Sequence, residues 1–341
     1  MRKLLVILLF LTACTGASSQ TIPSRGNSTS SSPSWSGLQL SGRLILIQPK
    51  VDGIDLINLN LTSGKITLLF HAPEHALMSS ALVSPDGQQI LLSYAPPWTR
   101  PDQVIYPSLY LLTMDGSGDP EPVFKNMNPK EAFFNPTWAP DGKSIFASHF
   151  TPGTGDQNNT GTYAVVRVSL DGVVRTILQD AEWPSLSADG TQIAYLSAYD
   201  GSLVNELYLA ESTGANPAAL LKPRAYPAVD AHFFAPDGNS VIFSAVNQAP
   251  QPTASFFDRI FGVQIVSAHV IPSDWYSIPV TGGNPVRLTN LNDTGMYACN
   301  SPDGRHIAFI SKSGLYLMNP DGTGITRLSD MVVTGTVDWI P

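Results

Sequence analysis

The chain has 341 residues, 43% hydrophobic and 13% charged, with a formal net charge of -8. That length and apolar content are enough for a large core. The negative balance argues against a nucleic-acid partner, because phosphate binding needs a positive surface.

In chain order, Arg2 and Lys3 come first, and Leu4 to Leu11 form an apolar run too short to span a bilayer as a mature helix. Leu11-Thr12-Ala13-Cys14 follows at once. This order of charge, apolar run, small residues and cysteine resembles the bacterial lipobox. The resemblance implies a signal peptide over 1–13, lipid attachment at Cys14 and membrane contact through that lipid. The plainer alternative is an ordinary secretory signal with an incidental cysteine. If Cys14 is lipidated, Cys299 has no disulfide partner, so packing holds the fold.

Residues 14–40 read as a tether, because the stretch from Thr15 to Gly37 is rich in Ser, Thr, Pro and Gly and lacks the apolar content to fold. Trp35 is the tether residue expected to dock. No linker follows, so 41–341 reads as one domain.

That domain repeats a phrase. Ser84-Pro85-Asp86-Gly87, Ala139-Pro140-Asp141-Gly142, Ala235-Pro236-Asp237-Gly238 and Ser301-Pro302-Asp303-Gly304 share it, and Ser187-Ala188-Asp189-Gly190 is a copy without the proline. Repetition at a period of about 40–60 residues indicates a solenoid or propeller. Pro presets the first corner of a tight turn, Asp tolerates the second, and Gly supplies the positive φ that closes it. The strand after each turn alternates, as in Ile90 and Leu92 or Ile307 and Phe309, which predicts one buried face per strand. The strand before it ends in Val83, Trp138, Leu186, Phe234 and Asn300, with Asn300 the polar exception. A second hairpin follows in each unit, turning at Asp115-Gly116, Asp171-Gly172, Thr213-Gly214, Gly282-Gly283 and Asp321-Gly322. Each unit is therefore a four-stranded antiparallel meander, one propeller blade.

Residues Leu44 to Leu69 supply strands without a preceding inner strand, and Trp339-Ile340-Pro341 matches Trp138-Ala139-Pro140. The C-terminal strand is therefore expected to complete the first blade. The fold class is all-β, a six-bladed β-propeller closed by that strand, which leaves no free sheet edge around the ring.

The repeats resemble the WD-repeat-like propeller units of the TolB family: apolar-Ser-Pro-Asp-Gly, an alternating strand, a Leu-Tyr strand such as Leu109-Tyr110 or Leu315-Tyr316, then an Asp-Gly turn. The resemblance covers nearly everything after the tether. It implies a propeller of the kind that binds partner proteins in the periplasm. It does not extend to a role inside a Tol system, because the lipobox and the missing room for that family's N-terminal domain depart from its pattern.

Three stretches exceed a minimal blade: 95–107, 150–162 and 247–274. All join second to third strands and so decorate one face, and long connections in compact domains are often functional. In the last, Phe256 with Ile260 and Phe257 with Phe261 are spaced to share a helical face, a candidate lid or docking element. The alternative is that it packs on its own blade.

His71-Ala72-Pro73-Glu74-His75 matches the inverted zinc-peptidase pattern, but Pro73 opposes a helix through both histidines. His71, Glu74 and His75 remain weak candidates for a simpler metal site. Each inter-blade link carries an acid (Glu74, Glu131, Glu182, Asp230, Asp293, Asp330), which taken together would attract a cation. No nucleophile elbow, phosphate loop or dinucleotide fingerprint occurs. Cys299 reads as a buried free thiol on an inner strand.

These features lead to a lipoprotein of the bacterial cell envelope, on its periplasmic or extracellular side, with no cofactor and no catalytic residues assigned. It is expected to bind an envelope protein or extracellular polymer through the insertion-bearing face. The alternative is a metal-assisted propeller enzyme, a lyase or hydrolase acting at the channel mouth.

Overall fold

The structure is a computed structural model describing residues 35–97, 106–124, 128, 130–153, 161–198, 205–247 and 271–341. Its six four-stranded antiparallel sheets form a ring, the six-bladed propeller that the repeat predicts.

Blade 1 orders β24 (Thr334–Ile340), β1 (Arg43–Lys50), β2 (Gly53–Asn60) and β3 (Ile66–Pro73) from inside to outside. Blade 2 runs β4 (Leu77–Val83), β5 (Gln89–Ala95), β6 (Ser108–Thr113) and β7 (Glu121–Pro122). Blade 3 runs β8 (Ala132–Trp138), β9 (Ser144–Thr151), β10 (Thr162–Ser169) and β11 (Val174–Gln179). Blade 4 has β12 (Ala181–Leu186), β13 (Gln192–Ser197), β14 (Leu207–Glu211) and β15 (Ala218–Ala219). Blade 5 has β16 (Val229–Phe234), β17 (Ser240–Val246), β18 (Ser273–Pro279) and β19 (Val286–Arg287). Blade 6 has β20 (Tyr297–Asn300), β21 (Ile307–Ser311), β22 (Gly314–Met318) and β23 (Thr326–Ser329).

The C-terminal strand closes the ring as expected. β24 pairs antiparallel with β1, with Arg43 opposite Ile340 and Leu44 opposite Trp339. Trp339 is buried, and its indole N–H donates to the Ser41 carbonyl at 3.0 Å. Trp35 packs on the same apolar cluster and donates to the Leu61 carbonyl at 2.7 Å.

The Pro-Asp-Gly turns have the expected chemistry. Gly87, Gly142, Gly190, Gly238 and Gly304 all have φ between 65° and 72°. Each donates its N–H to the carbonyl three residues before, from 2.8 Å (Gly87 to Ser84) to 2.9 Å (Gly304 to Ser301). The Asp carboxylate then accepts the N–H two residues on, as Asp141 does from Lys143 at 2.9 Å. These residues therefore build turns.

One expectation is corrected. Alternation predicted one buried face per strand, yet the second strands are buried on both faces. Ile90, Leu91 and Leu92 are all fully buried. Ile90 and Leu92 pack toward blade 1 with Ile45 and Ile47, whereas Leu91 packs toward blade 3 with Trp138 and Ile145. A blade is sandwiched between two others, so both pleat faces need apolar side chains. The core is accordingly a set of inter-blade layers, each drawn from two neighbouring blades.

Candidate functional site

Every inner strand sends its last residues into the central channel. Counting back from the turns, Leu82, Thr137, Ser185, Phe233, Cys299 and Asp338 occupy one equivalent position in the six blades, and all six line a cavity of about 350 Å³. Ala188 and Pro236, at the start of their turns, also line it, so the cavity lies at the Pro-Asp-Gly end of the channel.

Bulges set which side chains turn inward. The inner-strand register shifts between Met78 and Ser80, Phe134 and Thr137, Glu182 and Ser185, and Asp230 and Phe233. Asn135, Trp183 and Ala231 take positive φ there. A bulge puts two residues opposite one and re-aims the side chains beyond it.

The polar groups of this wall bind neighbouring blades. Asp338 accepts the Val83 N–H at 2.7 Å, and Thr336 accepts the Ala81 N–H at 2.8 Å. The Asn300 side-chain amide donates to the Phe234 carbonyl at 2.9 Å, and the Trp138 indole to the Leu82 carbonyl at 3.1 Å. Burial dominates the electrostatics. It raises the Asp338 carboxyl to about 6 against the opposing hydrogen bonds from the backbone, because the charged form is poorly solvated there. It lowers the His232 imidazole to about 4, so that ring is neutral at pH 7. Burial, followed by the nearby Asp338 charge, holds the Cys299 thiol well above its usual range. Cys299 is a free thiol on an inner strand as expected, but it is only half-buried because it faces the channel.

The other candidates are dispersed. His71 lies on the outer strand β3, not in an inter-blade link, and its Nδ1 is 2.7 Å from Asp55. His75 takes φ 70°, with Nε2 3.9 Å from the exposed Glu74. Of the six acids expected in inter-blade links, Glu182 and Asp230 lie instead on the inner strands β12 and β16, where burial raises Glu182 to about 7; Glu131 meets His149 at 2.8 Å, and Asp293 accepts the Ser311 hydroxyl at 2.6 Å. Among the described residues, no group of three His, Cys, Asp or Glu is placed to hold a metal ion.

The long connections leave the ring between β5 and β6, β9 and β10, and β17 and β18, the same place in three blades. The longest has an anchored foot. Asp274 is fully buried and accepts from Arg287 at 2.6 Å, the Thr289 hydroxyl at 3.0 Å, the Leu291 N–H at 2.5 Å and the Asn247 amide at 2.5 Å. Phe256, Phe257, Ile260, Phe261, Cys14 and the signal and lipobox residues lie outside the described residues.

Sequence reasoning does not pick out Asp338, Tyr297 or Trp183 as channel residues. A signal for Asp338 exists: the match of Trp339 to Trp138 places it level with Thr137, on the channel side.

No family model matches the sequence, and no curated protein does. Solved structures do match. TolB from Acinetobacter baumannii superposes with a TM-score of 0.59 at 17% identity, covering 87% of this chain and 66% of that one. The chain thus spans slightly under two thirds of that protein. A protein assigned as TolB from Agrobacterium tumefaciens gives 0.57 at 18% identity, covering 89% of this chain and 100% of that one. An oligogalacturonate lyase in complex with manganese gives 0.52 at 14% identity, covering 81% and 71%. At these identities the likeness establishes the fold, a TolB-like propeller.

Proposed function

We propose that this chain is a non-enzymatic binding module of the bacterial cell envelope. It is held at the membrane through lipid on Cys14. It engages an envelope protein or extracellular polymer through the face carrying the three long connections. The observation behind this reading is that those connections occupy one topological place in blades 2, 3 and 5, with the longest rooted on the buried Asp274 cluster. A ring whose long connections start and end at one topological place suits recognition. The polar groups of the channel serve as ties between blades, a structural use that fits a scaffold better than a catalyst. The likeness to TolB structures supports partner binding in the periplasm.

The test is affinity capture from envelope extract by the full chain carrying Cys14→Ser, beside the same chain lacking 250–271. Capture by the first and loss by the second, with both melting cooperatively, is the expected result. Equal capture by both would move the binding surface off that connection. A second reading, a metal-assisted enzyme, draws on the manganese-bound lyase among the fold neighbours and on His71, Glu74 and His75 as weak ligand candidates. Stoichiometric metal after dialysis, lost on His71→Ala, would favour it.

A further inference from the structure

The central cavity is a second site, on the side of the ring away from the long connections. We propose that it binds a small organic cation, a primary ammonium or guanidinium compound, with Asp338 as its counter-charge and the Trp183 and Tyr297 rings as its aromatic wall.

The size is suitable. About 350 Å³ lies in the range of small-molecule pockets. The charge is one-sided. Asp338 is the one carboxylate among the lining residues, and no Lys or Arg joins it. His232, the other ionisable nitrogen in the wall, is kept neutral by burial. The chain as a whole carries -8, which deepens the negative potential that a channel focuses.

The hydrogen-bond inventory has the same bias. The Asn300 amide donates to the Phe234 carbonyl, while its Oδ1 is buried with no partner among the described residues. Asp338 holds the Val83 N–H, yet its carboxyl stays raised, so its charge is under-compensated by the protein alone. An ammonium or guanidinium brings both charge and donors. The Trp183 and Tyr297 rings sit with centroids 5.8 Å apart, tilted by 33°, and both line the cavity. Aromatic rings attract a cation electrostatically and suit an organic body attached to it. A calcium ion takes six to eight oxygen ligands, commonly with several carboxylates among them, and this wall supplies one carboxylate.

Cys299 provides a built-in reporter, since it lines the cavity and Cys14 is the one other cysteine in the sequence. The full chain carrying Cys14→Ser is titrated calorimetrically with phenethylammonium, phenethylguanidinium, neutral 3-phenylpropanol, anionic 3-phenylpropionate and calcium chloride. Its thiol is also labelled with cationic and anionic methanethiosulfonates of similar size. The expected result is saturable binding of the two cations at least tenfold tighter than the neutral and anionic probes. Cationic labelling should be faster than anionic, and phenethylammonium should protect the thiol. Asp338→Asn, which retains an oxygen for Val83, should abolish both preferences. Ser185→Lys, which places a competing ammonium in the wall, should do the same. A neutral probe binding as tightly as its cationic counterpart would overturn the proposal. So would preferences that survive Asp338→Asn, or calcium as the one saturating cation. Binding of phenethylguanidinium without phenethylammonium would support the guanidinium form. Binding of phenethylammonium without phenethylguanidinium would support the ammonium form.

Discussion

The Asp338 carboxylate accepts the Val83 N–H at 2.7 Å, across 255 positions of sequence. Asp338 lies near the end of the inner strand of blade 1 and Val83 ends that of blade 2, so this bond ties the closing strand to the neighbouring blade. Asp338→Ala leaves the part-buried Val83 N–H without this acceptor, at a cost of about 1–3 kcal/mol. Asp338→Asn retains an oxygen and should stay within about 1 kcal/mol of the parent at pH 5. Thermal melts at that pH should lower the midpoint by a few degrees for the Ala variant alone. Deleting 336–341 removes the closing strand and should lower it far more, and an unchanged melt would rule the closure out.

Acid should stabilise the ring. Asp338 rises from 3.8 to about 6 and Glu182 from 4.5 to about 7 on folding, both through burial. A group raised on folding contributes stability that is complete below its unfolded value and is lost as pH rises through its folded value. His232 is lowered from 6.5 to about 4, so its contribution is present above 6.5 and fades as pH falls. Between pH 8 and pH 5 the carboxyls outweigh the imidazole, giving a net gain of roughly 1–3 kcal/mol. The melting midpoint should be higher at pH 5 than at pH 8, and the order should reverse in the Glu182→Gln, Asp338→Asn double variant.

Two turn glycines separate backbone strain from close approach. Gly87 has φ 72° and open space where a Cβ would stand. Gly116 has the same φ, but its Cβ would collide with the Leu69 carbonyl of blade 1. Gly87→Ala should cost about 1 kcal/mol. Gly116→Ala should cost clearly more, because blades 1 and 2 must part. Urea midpoints for the two variants test the difference.

Asp274 holds a side-chain cluster beneath the longest connection. Asp274→Ala strands the Thr289 hydroxyl and the Leu291 N–H, at a cost of about 3–5 kcal/mol. Arg287→Ala leaves those backbone and hydroxyl bonds in place and should cost less. Denaturant unfolding of both variants checks the order, and partner capture should fall in the first even where the ring remains folded.

The repeat was legible because Pro-Asp-Gly turns report local backbone needs, and local needs are written in adjacent residues. Ring closure was legible because Trp339-Ile340-Pro341 copies Trp138-Ala139-Pro140. Burial on both faces of Leu91 and its neighbours was not, since it depends on a blade from elsewhere in the sequence. The channel wall was hidden for a related reason. Bulges at Asn135, Trp183 and Ala231 break the two-residue period before the side chains that turn inward. Asn300, the polar exception among the strand ends, was the visible trace of that wall. The His71 to His75 motif misled because spacing in sequence carries no orientation: His71 sits on an outer strand and is paired with Asp55.

The most direct test of the binding account is site-specific photo-cross-linking in envelope extract. A photoreactive amino acid is placed at Pro96, Gly153 or Pro272, beside the three long connections, and separately at Gln88, Lys143 or Asn239, on the Pro-Asp-Gly turns. The account predicts one common adduct from the first set and none from the second. Adducts from the turn set alone, or none from any position with every variant folded, would contradict it.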